Sequence, residues 1–388
     1  MKPLNSVISA CPPSGIRRFF DIAAQRADVI SLGVGEPDFV TPWRVREAGI
    51  YALEHGATTY TSNAGLPKLR ELICAELAGR YGARYAPDGN CVITAGVSEG
   101  LDLTLRVLLE PGEEVIVPEP CYVAYQPCVS FAGGRPVPVP TSAEDGFRLR
   151  CDVIEAAVTE RTKAILIGSP ANPTGAVQTR EDLAALVALA EKHDLYLISD
   201  EIYDRLTYTG THTCLATLPG AMERTVLLGG FSKAHAMTGW RVGYMAAPAA
   251  ILEGIVKVHQ YGIMSAPTTA QDAALEAIVG GEADVERMLA EYDRRRRLIV
   301  DGLNAIGLRT FEPRGAFYAF PEVTSTTGLT SEEFAQGLLA EERVAVIPGS
   351  AFGPSGEGHV RACYATSYER LEDAVGRIGR FVERHRAA

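Results

Sequence analysis

Lysine is scarce in this sequence. Six lysines stand against 31 arginines among the 37 basic residues. A lysine kept in the apolar, glycine-rich stretch FSKAHAMTGWRVGY, as Lys233 is, therefore asks for a reason. Paired cysteines are missing too. The eight cysteines are scattered with no CxxC, which predicts free, buried thiols in a reducing cytosol rather than a redox or zinc motif. No apolar run is long enough to span a bilayer, and the opening residues MKPLNSVISACPPSG lack a signal core, so a cytoplasmic protein with no membrane partner is expected. Basic charge is short overall: the net charge is −11, which argues against a nucleic-acid partner but leaves room for a pocket that binds one small anion. No GxGxxG is present where a nicotinamide enzyme needs it, GVGEPD being a different pattern. No His/Asp/Cys cluster has metal-ligand spacing, so no metal is expected.

What is present is alternation. Short apolar runs (CVITAG, EEVIVPEP, KAILIGSP, DLYLISDEIY, TVLLGG) read as strands. Between them lie amphipathic stretches such as 180–193, with Leu183, Leu186, Val187 and Ala190 on one face. This pattern predicts an α/β fold with a mostly parallel sheet sandwiched by helices. With 388 residues, the chain is long enough for two domains, or for one large α/β domain with an appendage. The stretch 284–306 reads as a helical connector whose run 294–297 (RRRR) forms a solvated face. After it, FEPRGAFYAFPEV, EEFAQGLLAEERVAVIPGSAFG and HVRACYATS suggest a smaller α/β unit. Gly96, Pro120, Asn172, Asp200 and Lys233 all follow strand ends, where open α/β sheets place their ligand crevice. Five separate segments thus point at one pocket.

Lys233 admits three readings: a surface charge, a point charge for phosphate, or an amine nucleophile. Apolar surroundings and a neighbouring cation, Arg241, both depress an ammonium pKa and free the amine to attack a carbonyl. Asp200 could cap a helix, bind a metal or pair with a pyridinium nitrogen. The last is what a pyridoxal cofactor requires, since a protonated ring is an effective electron sink.

At this point a resemblance becomes specific. SLGVGEPDFVTP, TYTSNAGLPKLR, TAGVSEGLDL, EPCYVAY, SPANPTG, SDEIY, FSKAHAMTGWRVGY and HVRACYATS resemble, in order and over nearly the whole chain, the blocks of the class I aminotransferases, which are fold-type I enzymes dependent on pyridoxal 5'-phosphate. PPSGIRRFF and QYGIMSAPTTAQDAALEAI are most similar to the prokaryotic aspartate and aromatic branch. The resemblance implies a large domain over 45–283, a small domain over 284–388, and an N-terminal segment over 1–44 that packs with the small domain.

It also implies roles. Lys233 matches the Schiff-base lysine and Asp200 the partner of the ring nitrogen. Tyr203 and Asn172 match the donors to the phenolic oxygen. Tyr122 falls where an aromatic ring stacks on the cofactor, often tryptophan in relatives. Gly96, Val97 and Ser98 form a helix N-terminus suited to a phosphate dianion, with Ser232 and Arg241 as side-chain ligands. Tyr60 matches a tyrosine that reaches the phosphate of the other subunit, so a homodimer with shared sites is expected. Arg361 matches the clamp for the substrate α-carboxylate, and Gly35 the backbone over the substrate.

The implied reaction moves an amino group from an L-amino acid to a 2-oxo acid by ping-pong kinetics, with Lys233 carrying the proton at Cα. Closure of the small domain, hinged near residues 12–15, is expected to seat Arg361. A β-eliminating C–S lyase of the same fold shares every cofactor residue. A ligand-binding regulator built on this fold needs a DNA-binding domain ahead of it, and only about forty residues precede the large domain here. Aspartate and the aromatic amino acids lead as donors, with 2-oxoglutarate as acceptor. QYGIMSAPTTA carries no arginine for a distal carboxylate, which leaves Arg17, or its neighbour Arg18, to supply one.

Overall fold

The computed structural model describes residues 2–13, 15 and 28–387. A short helix, Ser6–Ala10, precedes a two-residue strand, β1 (Ile30–Ser31). The chain then builds a seven-stranded sheet from β2 (Cys91–Thr94), β3 (Glu114–Glu119), β4 (Arg135–Pro140), β5 (Thr162–Gly168), β6 (Tyr196–Asp200), β7 (Thr225–Gly230) and β8 (Gly243–Ala246). The order across the sheet is β2-β8-β7-β6-β5-β3-β4, and only β8 runs against the others.

The sequence of each central strand explains its place. Alternate residues point to opposite faces. Val115, Val117, Leu166 and Ile198 enter one hydrophobic cluster, while Ile116, Ile165, Ile167 and Leu197 enter the cluster on the other side. Both faces are covered, so the strands read as unbroken apolar runs. Each fully buried Leu, Ile or Val contributes roughly 2 kcal/mol of hydrophobic stabilisation before entropy is counted. The helix Arg180–Lys192 covers one face behind a capping box of Thr179 and Asp182.

Two strands escape sequence reading. β4 is RPVPVP; three prolines in six residues look like a breaker, but at the sheet edge a strand needs only one set of N–H donors. β8 begins with the last two residues of the block that carries Lys233, and its four residues are too short for a periodic signal.

The remaining strands are β9 (Tyr318–Ala319), β10 (Val344–Ala345), β11 (Ile347–Pro348) and β12 (Val360–Cys363). β11, β12 and β9 form an antiparallel sheet. β1 pairs parallel with β10, Ile30 opposite Val344. Val29, Ile30 and Leu32 share one hydrophobic cluster with Phe317, Phe334 and Phe381. The early segment therefore packs with the late one.

The connector is a helix, Glu282–Ala305, but the expected solvated arginine face is corrected. Arg294 and Arg297 are exposed, whereas Arg295 and Arg296 are buried. Four consecutive residues spread around a helix of 3.6 residues per turn, so some must turn inward. Arg295 Nη1 donates to both oxygens of Asp38 at 2.8 and 2.9 Å, and its Nε to Glu291 at 3.0 Å. Arg296 donates to Asp293 at 2.8 Å and Glu312 at 2.7 Å.

Candidate active site

The strand ends open onto a cavity of about 710 Å³. β6 delivers Asp200 as its last residue, and the turns after β2, β3, β5 and β7 deliver Val97 and Ser98, Tyr122, Asn172, and Ser232 with Lys233. Arg361 arrives from β12 and Gly35 from the segment after β1. Eleven of the expected positions thus line one cavity, with Asn172, Asp200 and Lys233 of the five strand-end residues among them.

The electrostatics are those of charges out of water. Asp200 is buried, and burial pushes its carboxyl up to about 6. Two donors oppose that shift: the Tyr125 hydroxyl, 2.9 Å from Oδ2, and the Ile202 N–H, 3.2 Å from Oδ1. Lys233 retains some exposure, toward the cavity. Desolvation pulls its ammonium down to about 8, and the Arg361 charge adds to the push, against Cys363, Glu36 and Asp200. Its amine donates to the Gly35 carbonyl at 2.6 Å. The stretch around it is bent: Ala236 and Arg241 hold φ of 51° and 56°, left-handed values that cost non-glycine residues energy and cluster at functional sites.

The end near Arg241 is built from backbone. Gly96, at φ 86°, begins the helix Val97–Leu108 and brings no side-chain cap to its free N–H groups. A Cβ on Gly96 would lie 2.7 Å from Arg241 Nη2, so glycine lets the guanidinium come close. Arg241 itself is held by the carbonyls of Thr238 (2.9 Å) and Ala95 (3.3 Å).

At the opposite end Arg361 is 1% exposed. It donates to Asn172 Oδ1 at 2.9 Å and to the Gly33 carbonyl at 2.6 Å. Its Nε is buried with no partner, and no carboxylate pairs with it among the described residues. Its guanidinium lies over the rings of Tyr318 and Phe352, at 4.5 and 4.9 Å.

This strand order, with these residues at its cavity, has counterparts among known proteins. The sequence pattern described as "Aminotransferase class I and II" matches residues 27–378. The chain belongs to the class I and II aminotransferases. YugH of Bacillus subtilis (strain 168), whose name goes no further than aminotransferase, is 54% identical over 381 residues, 98% of either chain. An aspartate aminotransferase of Pyrococcus abyssi is 47% identical, covering 94% of this chain and 95% of its own. The solved structure of an aromatic aminotransferase from Pyrococcus horikoshii OT3 superposes with a TM-score of 0.90 at 46% identity, over 94% of this chain and 99% of that one. The α/β fold and the aminotransferase class expected from the sequence are both borne out.

Gly96 and Pro120 of the strand-end set, and Tyr60, are described but do not line the cavity of this aminotransferase. Tyr60 is 74% exposed. Arg17 and Arg18 lie outside the described residues. Sequence reading missed Tyr125, three residues after Tyr122 in a block already singled out, and Tyr318, in a stretch read only as part of the smaller unit. Tyr125 had a signal, being in EPCYVAY; Tyr318 had none. Among the described residues no cluster of His, Cys, Asp and Glu suits a metal, and no helix is long and apolar enough to cross a membrane.

Proposed function

We propose that this aminotransferase exchanges an amino group between an L-amino acid, aspartate or an aromatic one, and 2-oxoglutarate, using pyridoxal 5'-phosphate. The observation that carries the reading is Arg361: a buried, incompletely partnered guanidinium facing the same cavity as Lys233 and Asp200. A planar fork of this kind suits the carboxylate common to every amino and 2-oxo acid.

The donor set fits the cofactor. Asp200, buried and short of a cation, suits a pyridinium nitrogen. Asn172, whose Oδ1 is occupied by Arg361, keeps its amide N–H₂ for the phenolic oxygen, with Tyr203. Tyr122 covers the ring, while Gly96, Val97, Ser98, Ser232 and Arg241 hold the phosphate. When bound, pyridoxal phosphate supplies the electron sink and the carrier of the amino group. Lys233, with its lowered pKa, holds the cofactor and, once released, moves the proton at the substrate Cα. Arg361 and Gly35 orient the substrate, so the cleaved C–H bond faces Lys233. Because donor and acceptor use one cavity in turn, the kinetics are ping-pong.

Among the described residues the cations lining the cavity are Lys233, Arg241 and Arg361, each with a task; Arg17 is the proposed partner for a distal carboxylate. Tyr60 is proposed to complete the phosphate site of a second copy. An apolar surface supports this: Trp43, Tyr51, Leu53, Tyr60, Tyr261 and Met264 are all exposed, and the loop of Tyr60 is tied to Met264 through Asn63, at 2.8 Å. We also read 1–44, 45–283 and 284–388 as N-terminal segment, large domain and small domain, supported by the shared cluster of Ile30 with Phe334. The eight free cysteines suit a reducing cytoplasm.

The test is an absorbance spectrum with pyridoxal phosphate, before and after L-glutamate. A visible band should form, then fall as 2-oxoglutarate is released in equal amount; a panel of oxo acids then ranks acceptors. Pyruvate and ammonia released from sulfur amino acids, in place of 2-oxoglutarate from glutamate, point to the lyase. No band removes the cofactor assignment.

A further inference from the structure

Tyr318 of β9 has no role in the account above, yet it lines the cavity while only 1% exposed. Three contacts meet on it. Its hydroxyl oxygen is 2.7 Å from that of Tyr203. Its ring carries the Arg361 guanidinium at 4.5 Å. Its hydroxyl stands where a Cβ on Gly35 would come within 2.4 Å, and the Gly35 carbonyl is the acceptor for the Lys233 amine. One side chain therefore touches the carboxylate arginine, the phenol that faces the cofactor, and the backbone that holds the amine.

Counting hydrogens gives the contact a direction. A phenol has one O–H to donate. With Tyr203 donating to the cofactor's phenolic oxygen, the hydrogen between the two tyrosines comes from Tyr318. We propose that Tyr318 is a positioning residue whose hydroxyl donates to Tyr203 and whose ring seats Arg361, linking substrate capture to the cofactor's phenolic oxygen. This rests on the pyridoxal phosphate reading of the site. Hydrogen bonds in series polarise one another, so Tyr203 donates more strongly with Tyr318 behind it. Burial pushes both phenols far up, so neither loses its proton in the working range.

Three variants test this: Tyr318→Phe keeps the ring and removes the donor, Tyr318→Leu removes both, and Tyr203→Phe removes the receiver. The readouts are the pH midpoint of the visible band of the cofactor-loaded protein and the KM for the amino acid. Tyr318→Phe should move the midpoint upward by about half a unit to one unit, because a less supported phenolic oxygen holds a nearby proton more tightly. Its KM should stay within about twofold. Tyr318→Leu should also raise KM, by about tenfold. In the Tyr203→Phe background, Tyr318→Phe should leave the midpoint where it is, which a general loss of packing would not do. A band that titrates alike in the parent and in Tyr318→Phe overturns this inference alone. A parent protein with no band overturns it together with the cofactor reading.

Discussion

Two sets of buried arginines divide the molecule. Arg295 and Arg296, on the long helix, are 5% and 6% exposed, and each meets two carboxylates. Arg361, at 1% exposure, meets carbonyl and amide oxygens and two rings, and its Nε meets nothing. Burying a guanidinium is costly unless charge is returned to it. Where the fold returns it, the arginine is structure. Where it does not, as at Arg361, the arginine stays free for the substrate carboxylate proposed above. Asp200 belongs with Arg361: its carboxyl has donors but no ion-pair partner among the described residues, and its rise from 3.8 to about 6 corresponds to roughly 3 kcal/mol of unrelieved penalty at neutral pH.

The comparison is tested most severely at Lys233. Lys233→Ala should lower kcat/KM by about 10⁴-fold or more while leaving the unfolding midpoint in denaturant no lower than the parent's, because a buried, desolvated ammonium is lost. A parallel fall in stability would place Lys233 with the structural set. Arg361→Lys comes next. An ammonium cannot reproduce the fork, so KM for amino and oxo acid alike should rise about 100-fold, or roughly 3 kcal/mol, with little change in melting temperature.

Arg295→Met should do the reverse. Leaving Asp38 and Glu291 without their cation should cost about 2 kcal/mol in urea unfolding, below the range for fully buried pairs because both acids are partly exposed. KM should stay put. The smallest effect expected is at Asp200. Its folded pKa lies above its unfolded one, so folding takes up a proton between about pH 4 and 6, and stability falls as pH rises through that window. Asp200→Asn should therefore stabilise the cofactor-free protein by about 1–2 kcal/mol at pH 7, with the gain vanishing below pH 4. A gain that persists at pH 3.5 would show that ionisation is not its cause.

Much of this was legible because the site is written at strand ends. A run of apolar residues closing on Asp200, or on FSK, states both where a strand stops and what it presents. Arg295 and Arg296 were not legible in that way. Their carboxylates include Asp38, 257 positions from Arg295, and Glu312, beyond the end of the helix, so nothing local separates them from the exposed Arg294 and Arg297. Tyr318 failed for a similar reason: GAFY shows an apolar strand, while its hydroxyl acquires meaning only beside Tyr203, 115 positions earlier. β4 was obscured by prolines that a central strand would forbid and an edge tolerates.

The pairing of β1 with β10 has a consequence for biosynthesis. Ile30 lies opposite Val344, so the early strand stays without its neighbour until the ribosome has added more than three hundred residues, on the order of 15–60 s of translation at about 5–20 residues per second. Gly33 and Gly35, just beyond it, supply the carbonyls that hold Arg361 and Lys233. A nascent chain thus carries Asp200, Lys233 and Arg241 well before the segment that completes the cavity can dock. The segment from Ile30 to Gly35 is among the last to take its place.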